Sequence, residues 1–586
     1  MRMGRGAGIY LKFVRWRMDL KYDKIQTDLL IIGGGGAGVR AAIEADNLGV
    51  TVALVSKGVI SRCGLTPMAG YSYQAAFGHS NPADNPQVHF EDTVREGRRL
   101  GDENLIKCLA EEARERALEM ERYGVRFTKA GNKFAQVRHP GQTYPRINRI
   151  PGRGYQMMLG LKKELNRHKK VQVFEDGVIS RILSDSSGRP AGAVGYLQRE
   201  GRFVTFHSKV IVLATGGYEE LWEKTDTAPD STGDGTALAF DLGAQLVDLE
   251  MMLYYPIVTL GSKVFPSMRQ VLQYESLLEK EYMGGTLRNA KGEEFLPPGK
   301  LPVRDVLIAL IIKEREEGRA TERGGVFIDL TKLPLNPEEI DKKINDVGAR
   351  IQFDRIKYLG LDLTRDSIEV APACHYSLGG VKINERTETS VPGLFAAGEV
   401  SGNIHGANRI SGNALAETQV FGRRAAEFAS REAKALGSFP PLISREIEEE
   451  IQRIENFFAP RKDSVRPREL KKRIQGIMEE RVGLRRDAFG LERAIESIRD
   501  MRKELPRIRV PAIRVFNYEL QEAIEVDFMV QVAELVARAA LCRKESRGHH
   551  FRFDYPQEDP AWLKHTLIQK KGESLECSTT PVVRVQ

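Results

Sequence analysis

Cysteine is scarce in this 586-residue chain: Cys63, Cys108, Cys374, Cys542 and Cys577 are scattered, and none forms a C-x-x-C pair. That spacing excludes a zinc ribbon and a four-cysteine iron–sulfur site, and no metal site is expected. An odd, dispersed set also argues against a disulfide scaffold and for a reducing compartment. No apolar run reaches the ~18 residues of a membrane-spanning helix. The basic N-terminus (Arg2, Arg5, Lys12, Arg15, Arg17) lacks a sustained apolar stretch and a twin arginine, so it is a poor export signal. It reads as an extension over residues 1–26, with Met18 a second candidate start. One-signed charge is missing too. The 88 basic and 80 acidic residues leave +8 over the whole length, a mixed solvated surface and not a nucleic-acid footprint.

At this length one core is excluded and two to four domains are expected. The 41% hydrophobic and 29% charged content is ordinary for a globular protein. Asp28–Ile32 reads as a strand, Gly33–Gly38 as a tight turn, Val39–Leu48 as a helix and Val50–Ser56 as a second strand. This βαβ unit places Gly33-x-Gly35-x-x-Gly38 where a dinucleotide fingerprint belongs. Gly33 permits the turn, Gly35 lets the backbone approach a pyrophosphate, and Gly38 lets helix and strand pack. Gly36 and Ala37 complete a cradle at a helix N-terminus that favours negative charge. The acidic residue that usually ends the second strand is replaced by Ser56 and Lys57; a serine bonds a ribose hydroxyl more weakly than a carboxylate.

More than 350 residues later, Gly393-Leu-Phe-Ala-Ala-Gly-Glu399 reads as the returning wall of the same site. Glu399 suits a ribityl or ribose hydroxyl, Gly216 in Thr215-Gly-Gly217 a second backbone turn, and Asn413-Ala414-Leu415 backbone N–H groups for a flavin ring. Helix-period patterns cover Glu103–Tyr123, Tyr155–Arg167 and Gly412–Ala435; strands are expected at Val171–Val178, Ala193–Leu197 and Val210–Ala214. The resulting expectation is an α/β protein. A doubly wound, Rossmann-like FAD-binding domain in two parts (27–248 and 363–437) surrounds an inserted α+β domain (249–362). A helical domain (438–545) and a polar, irregular tail (546–586) follow.

With these pieces in place, the chain resembles the flavoprotein subunits of the succinate dehydrogenase/fumarate reductase family, which also includes L-aspartate oxidase. The likeness covers nearly the whole length. It rests on Val55-Ser-Lys57, Ser231-Thr-Gly-Asp-Gly235, Val303-Arg-Asp-Val306, His375-Tyr-Ser-Leu-Gly-Gly380, His405-Gly-Ala-Asn-Arg409, Arg543-Lys-Glu-Ser-Arg-Gly548 and Trp562-Leu-Lys-His-Thr566. The resemblance implies FAD, with Asp234 at its site, and a capping role for the inserted domain. It implies hydride transfer between flavin N5 and one carbon of a C4 dicarboxylate, with proton transfer at the neighbouring carbon. Arg409 would clamp a carboxylate, His375 would give a second substrate bond, and Arg304 would be the proton donor. An arginine is an unusual acid, with a pKa above ~12, and works only on a still more basic carbanion in a closed site. The resemblance also implies a cytoplasmic location and an iron–sulfur partner subunit, with membrane attachment only through partners.

Three departures shape the expectation. Ser61–Gly70 holds no histidine where covalent members carry one, so FAD is expected to dissociate and to have a lower potential, favouring substrate reduction. Tyr255 stands where the family has a substrate-binding histidine; a phenol donates to a carboxylate but carries no positive charge. The family's Arg-Gly-Glu-Gly-Gly relay is reduced to Glu281-Tyr-Met-Gly-Gly285, so the relay arginine and its glutamate partner are expected to be missing, with Glu279, Lys280 or Glu281 as substitutes. The rival readings are an L-aspartate oxidase, a reductase of another unsaturated acid or of a sulfur compound, and a non-catalytic FAD electron-transfer subunit.

Overall fold

The computed structural model describes residues 22–261, 270–346, 350–572 and 574–585; the basic stretch 1–21 of the expected N-terminal extension lies outside them. In chain order, the elements that frame the site begin with β1 (Tyr22–Ile32), α1 (Gly36–Asn47), β2 (Val52–Val55), β3 (Val171–Phe174), β4 (Gly177–Ser184), β5 (Pro190–Leu197) and β6 (Arg202–Leu213). Next come α2 (Asp234–Asp241), β7 (Met252–Thr259), α3 (Tyr274–Leu278), β8 (Thr286–Arg288), α4 (Arg304–Glu316), β9 (Val326–Asp329) and β10 (Ile368–Ser377). The last are β11 (Leu394–Ala396), α5 (Asn413–Ala435) and α6 (Tyr518–Cys542).

The main sheet runs β3-β2-β1-β6-β5-β4, with β11 also paired to β6. Its β3, β2, β1, β6 and β11 pairings are parallel, while β6, β5 and β4 meet antiparallel. Parallel strands covered on both faces read as unbroken apolar runs, as Leu29–Ile32 and Val210–Leu213 do; all eight residues are buried. Alanines and glycines let α1 and α5 pack together above this sheet, and Gly422 meets the backbone of Ala37 where a Cβ would stand 2.6 Å from its oxygen. The expected strand over Val171–Val178 is two strands. Asp176, at φ 55°, turns the chain between them.

The inserted segment forms a separate antiparallel sheet, β7-β10-β9-β8, over a second apolar core that includes Leu277, Leu307, Ile328 and Phe353. Strand β10 carries the chain back from that core to the dinucleotide fold. The helical part packs around α6, an apolar helix buried on most sides. The tail departs from the irregular segment expected. Lys564–Lys571 and Ser574–Pro581 form an antiparallel hairpin that pairs with Leu246–Val247. His565–Ile568 are buried on both faces of the strand, so there is no alternation to read, and lysines and polar residues flank the short buried run.

Candidate functional site

A cavity of about 870 Å3 lies where the two cores meet. One end is the backbone cradle. Gly33 takes φ 119°, and a Cβ there would stand 2.0 Å from the Ala214 carbonyl oxygen; a Cβ on Gly38 would stand 1.8 Å from the Gly33 oxygen. Gly35 opens on the cavity, with its nearest neighbour 3.8 Å from a Cβ position; it has no side chain to cap α1, and the Gly36 N–H donates to the Thr66 hydroxyl at 3.1 Å. The N-terminus of a helix beside an open glycine face is what a pyrophosphate requires. Gly216, at φ 77° with open space beside it, supplies the second turn. This end fits FAD.

The structure brings Gly33, Gly35, Gly36, Ala37, Ser56, Lys57, Gly216, Asp234, Glu399, Ala414 and Leu415 to the cavity wall. Lys57 is not a free cation: it pairs with Asp234 and Glu525, each at 2.9 Å, so it braces the wall. Two expected residues are not at the wall. Gly38 lies behind it, where it lets α1 meet the strand. Asn413 turns inward: its Oδ1 accepts from Gln74 at 2.6 Å and meets His89 at 2.8 Å, and its Nδ2 donates to Thr93. Its backbone N–H bonds the Ile410 carbonyl, so the expected flavin contact from Asn413 is corrected; Ala414 and Leu415 line the cavity instead.

Ser61 to Gly70 lie along the cavity without a histidine, and Cys63 stands 3.4 Å from the Ser56 hydroxyl. Burial pushes the Cys63 thiol up, away from the thiolate that a covalent link would need.

At the other end, four elements converge. Arg409 precedes α5, is buried, and has no carboxylate within ion-pair distance among the described residues; its guanidinium lies over the Tyr376 ring at 4.4 Å. Burial and repulsion from Arg304 bring its pKa down to about 10, so it stays cationic and lacks a counter-charge. Arg304, the first residue of α4, donates to Glu275 at 3.1 Å and keeps Nη1 buried without a partner among the described residues. Burial works most strongly against its charge, but Glu275, Tyr274 and Tyr255 together outweigh this and raise its pKa. His375 on β10 holds Asp226 through Nδ1 at 2.9 Å, which leaves Nε2 available. Its ring lies 5.0 Å from that of Tyr255 on β7. These are buried or cavity-lining groups, not surface ion pairs.

Two expectations are corrected here. A relay glutamate is expected to be missing, but a buried glutamate does pair with Arg304: it is Glu275 on α3, with both carboxylate oxygens engaged. Glu279 to Glu281 are not buried, so they are no substitutes. The Tyr255 hydroxyl donates to Glu275 at 3.1 Å, so its one proton is not free for a substrate carboxylate; it holds Glu275 toward Arg304. Sequence reasoning also missed His139. It lines the cavity, meets Tyr71 at 3.2 Å and Ser411 at 3.0 Å, and is kept neutral by burial, its pKa down to about 4. No family motif or periodicity marks it.

Comparison with known proteins gives a consistent picture. A model of the FAD binding domain matches residues 28–415, and one of the fumarate reductase flavoprotein C-terminus matches residues 471–585. A fumarate reductase (CoM/CoB) chain of Methanothermobacter marburgensis is 38% identical over 560 residues, covering 94% of this chain and 99% of its own. Among solved structures, Mycobacterium smegmatis Sdh1 in complex with UQ1 superposes with a TM-score of 0.87 at 32% identity, covering 96% and 95% of the two chains. An E. coli quinol fumarate reductase chain gives 0.86 at 28%, covering 96% and 98%.

Proposed function

Because the chain belongs to the succinate dehydrogenase/fumarate reductase flavoprotein family of FAD-dependent oxidoreductases acting on CH–CH groups, we propose that it reduces fumarate as the flavoprotein subunit of a larger complex. The observation that carries this reading is Arg409, a buried cation with no carboxylate within ion-pair distance among the described residues, in the cavity that Arg304 also lines. A buried charge is costly unless something neutralises it, and a carboxylate can take its two-pronged bond.

Bound FAD supplies the hydride. Arg409 fixes one substrate carboxylate, and His375, oriented by Asp226, gives a hydrogen bond through Nε2. Arg304 donates the proton at the neighbouring carbon, and the Glu275 carboxylate, which Tyr255 holds in place, takes up a proton from solvent and returns it to Arg304. Burial of all three excludes competing water and makes the proton transfer directional. Non-covalent FAD is supported by the lack of histidine over residues 61–70 and by the inert Cys63 thiol. Electrons would arrive from an iron–sulfur subunit, because the scattered cysteines of this chain provide no cluster. No helix of the described residues is long and apolar enough to cross a membrane, so attachment at the inner face of the cell membrane would come through partners. The intact basic clamp speaks against a non-catalytic subunit.

The test is a titration of the oxidised holoenzyme with malonate or succinate, followed in the flavin absorbance. A saturable perturbation weakened at least about 100-fold in Arg409→Gln, the range for a lost charge-assisted pair of about 3 kcal/mol, is expected. No perturbation by any dicarboxylate would overturn the reading.

A further inference from the structure

Glu219 follows the Thr215-Gly-Gly217 turn and is wholly buried; Glu399 follows Gly398 at the cavity wall. Both carboxyls converge on one donor. The Ser377 N–H lies 2.7 Å from Glu219 Oε1 and 3.1 Å from Glu399 Oε1. The two carboxyls lie close enough for each to shift the other's titration. Gly217 makes this possible: a Cβ there would stand 2.4 Å from Glu219 Oε1 and 2.2 Å from the Ser377 hydroxyl.

No cation lies within ion-pair distance of either carboxyl among the described residues. Arg409 and Glu417 face Glu399 from farther off, Tyr376 lies beside it, and Tyr218 and Cys374 face Glu219, with Arg486 and Glu250 beyond Tyr218. Two buried carboxylates that share one N–H and lack a counter-ion cannot both ionise. Burial and mutual repulsion push Glu399 well above the usual carboxylate range, and burial raises Glu219. Two buried atoms at this place, Glu219 Oε2 and Ser377 Oγ, have no partner among the described residues.

We propose that Glu219 and Glu399 hold a single proton between them in the wall of the FAD site, and that Glu219 thereby makes cofactor retention depend on pH. With the proton held, the wall carries one negative charge and Glu399 stays aligned on Ser377. With it lost, two adjacent charges repel each other and the anionic cofactor. The sign follows from the raised titration of the pair: the retentive form exists at lower pH and is lost as pH rises. Glu219 is a positioning residue, acting through Glu399.

The experiment combines two readouts on the holoenzyme, neither of which requires substrate. Infrared spectra in H2O and D2O are expected to show a protonated carboxylic acid at neutral pH in the wild type, titrating to carboxylate at lower pH in Glu219→Gln. The FAD dissociation constant is expected to rise in the wild type by up to about tenfold per pH unit above the pair's titration, as one linked proton allows, and to stay flat over that range in the variant. Glu219→Ala gives the same comparison if the glutamine variant does not fold. A wild type without the acid band, or a variant titrating as the wild type does, overturns the proposal. Either result would leave the dicarboxylate reading intact, since that is tested by ligand perturbation at Arg409.

Discussion

Glu275 decides whether Arg304 can act. It is the sole carboxylate within ion-pair distance of that arginine among the described residues, and Tyr255 fixes its second oxygen. Removing one partner of a buried pair leaves an uncompensated charge, so Glu275→Gln is expected to cost about 3–5 kcal/mol in denaturant unfolding. Tyr255→Phe removes only one hydrogen bond to a charged group and should cost about 1.5–3 kcal/mol. A Glu275→Gln protein as stable as the wild type would show that the ion pair does not form. Arg304, His375 and Arg409 were legible in the sequence because their motifs name both residue and neighbours. Glu275 was not: the expected relay lay in a motif six residues farther on, where the carboxylates are not buried. His139 and Glu219 were illegible for another reason. Their roles come from burial and from partners up to 272 residues away, such as Ser411 for His139.

At the scale of elements, the C-terminal hairpin is held to the dinucleotide fold by buried charge as well as by strand pairing. Arg543, wholly buried at the end of α6, bonds Glu250 at 2.6 Å, Glu545 at 2.9 Å and Asp248 at 3.2 Å, and donates to the Trp562 and Lys564 carbonyls. His565 and Thr566 on the hairpin bond Asp248 from the other side. Arg543→Met would leave Glu250 without a cation among the described residues, since Asp248 keeps His565 and Glu545 keeps Arg547, and is expected to lower stability by about 3 kcal/mol, read as a shifted thermal midpoint and faster proteolysis at the hairpin. An unchanged midpoint would contradict this. The sequence carried the Arg543 motif but not its geometry. The buried run His565–Ile568 is too short, does not alternate and is flanked by lysine, so it does not read as a strand. Long periodic elements such as α5 were legible to within a residue or two, because burial of a whole face imposes the pattern.

At the scale of the molecule, the doubly wound fold with an inserted second core was readable because the glycine fingerprint and the returning Gly393–Glu399 segment each need the other. What stayed hidden was the contact between the two cores, where β7, α3 and α4 bring Tyr255, Glu275 and Arg304 against Arg409 and His375. That junction is the central claim: a dicarboxylate clamp closed by an arginine acid, working despite the missing substrate histidine. The most direct measurement reduces the FAD-loaded protein anaerobically and follows flavin reoxidation on adding fumarate, with Arg304→Ala beside it. Rapid reoxidation in the wild type, slowed by about 10²–10⁴-fold in the variant, is the expected result for loss of a positioned acid. Wild-type flavin that stays reduced with fumarate, or a variant that reoxidises as fast as the wild type, would contradict it.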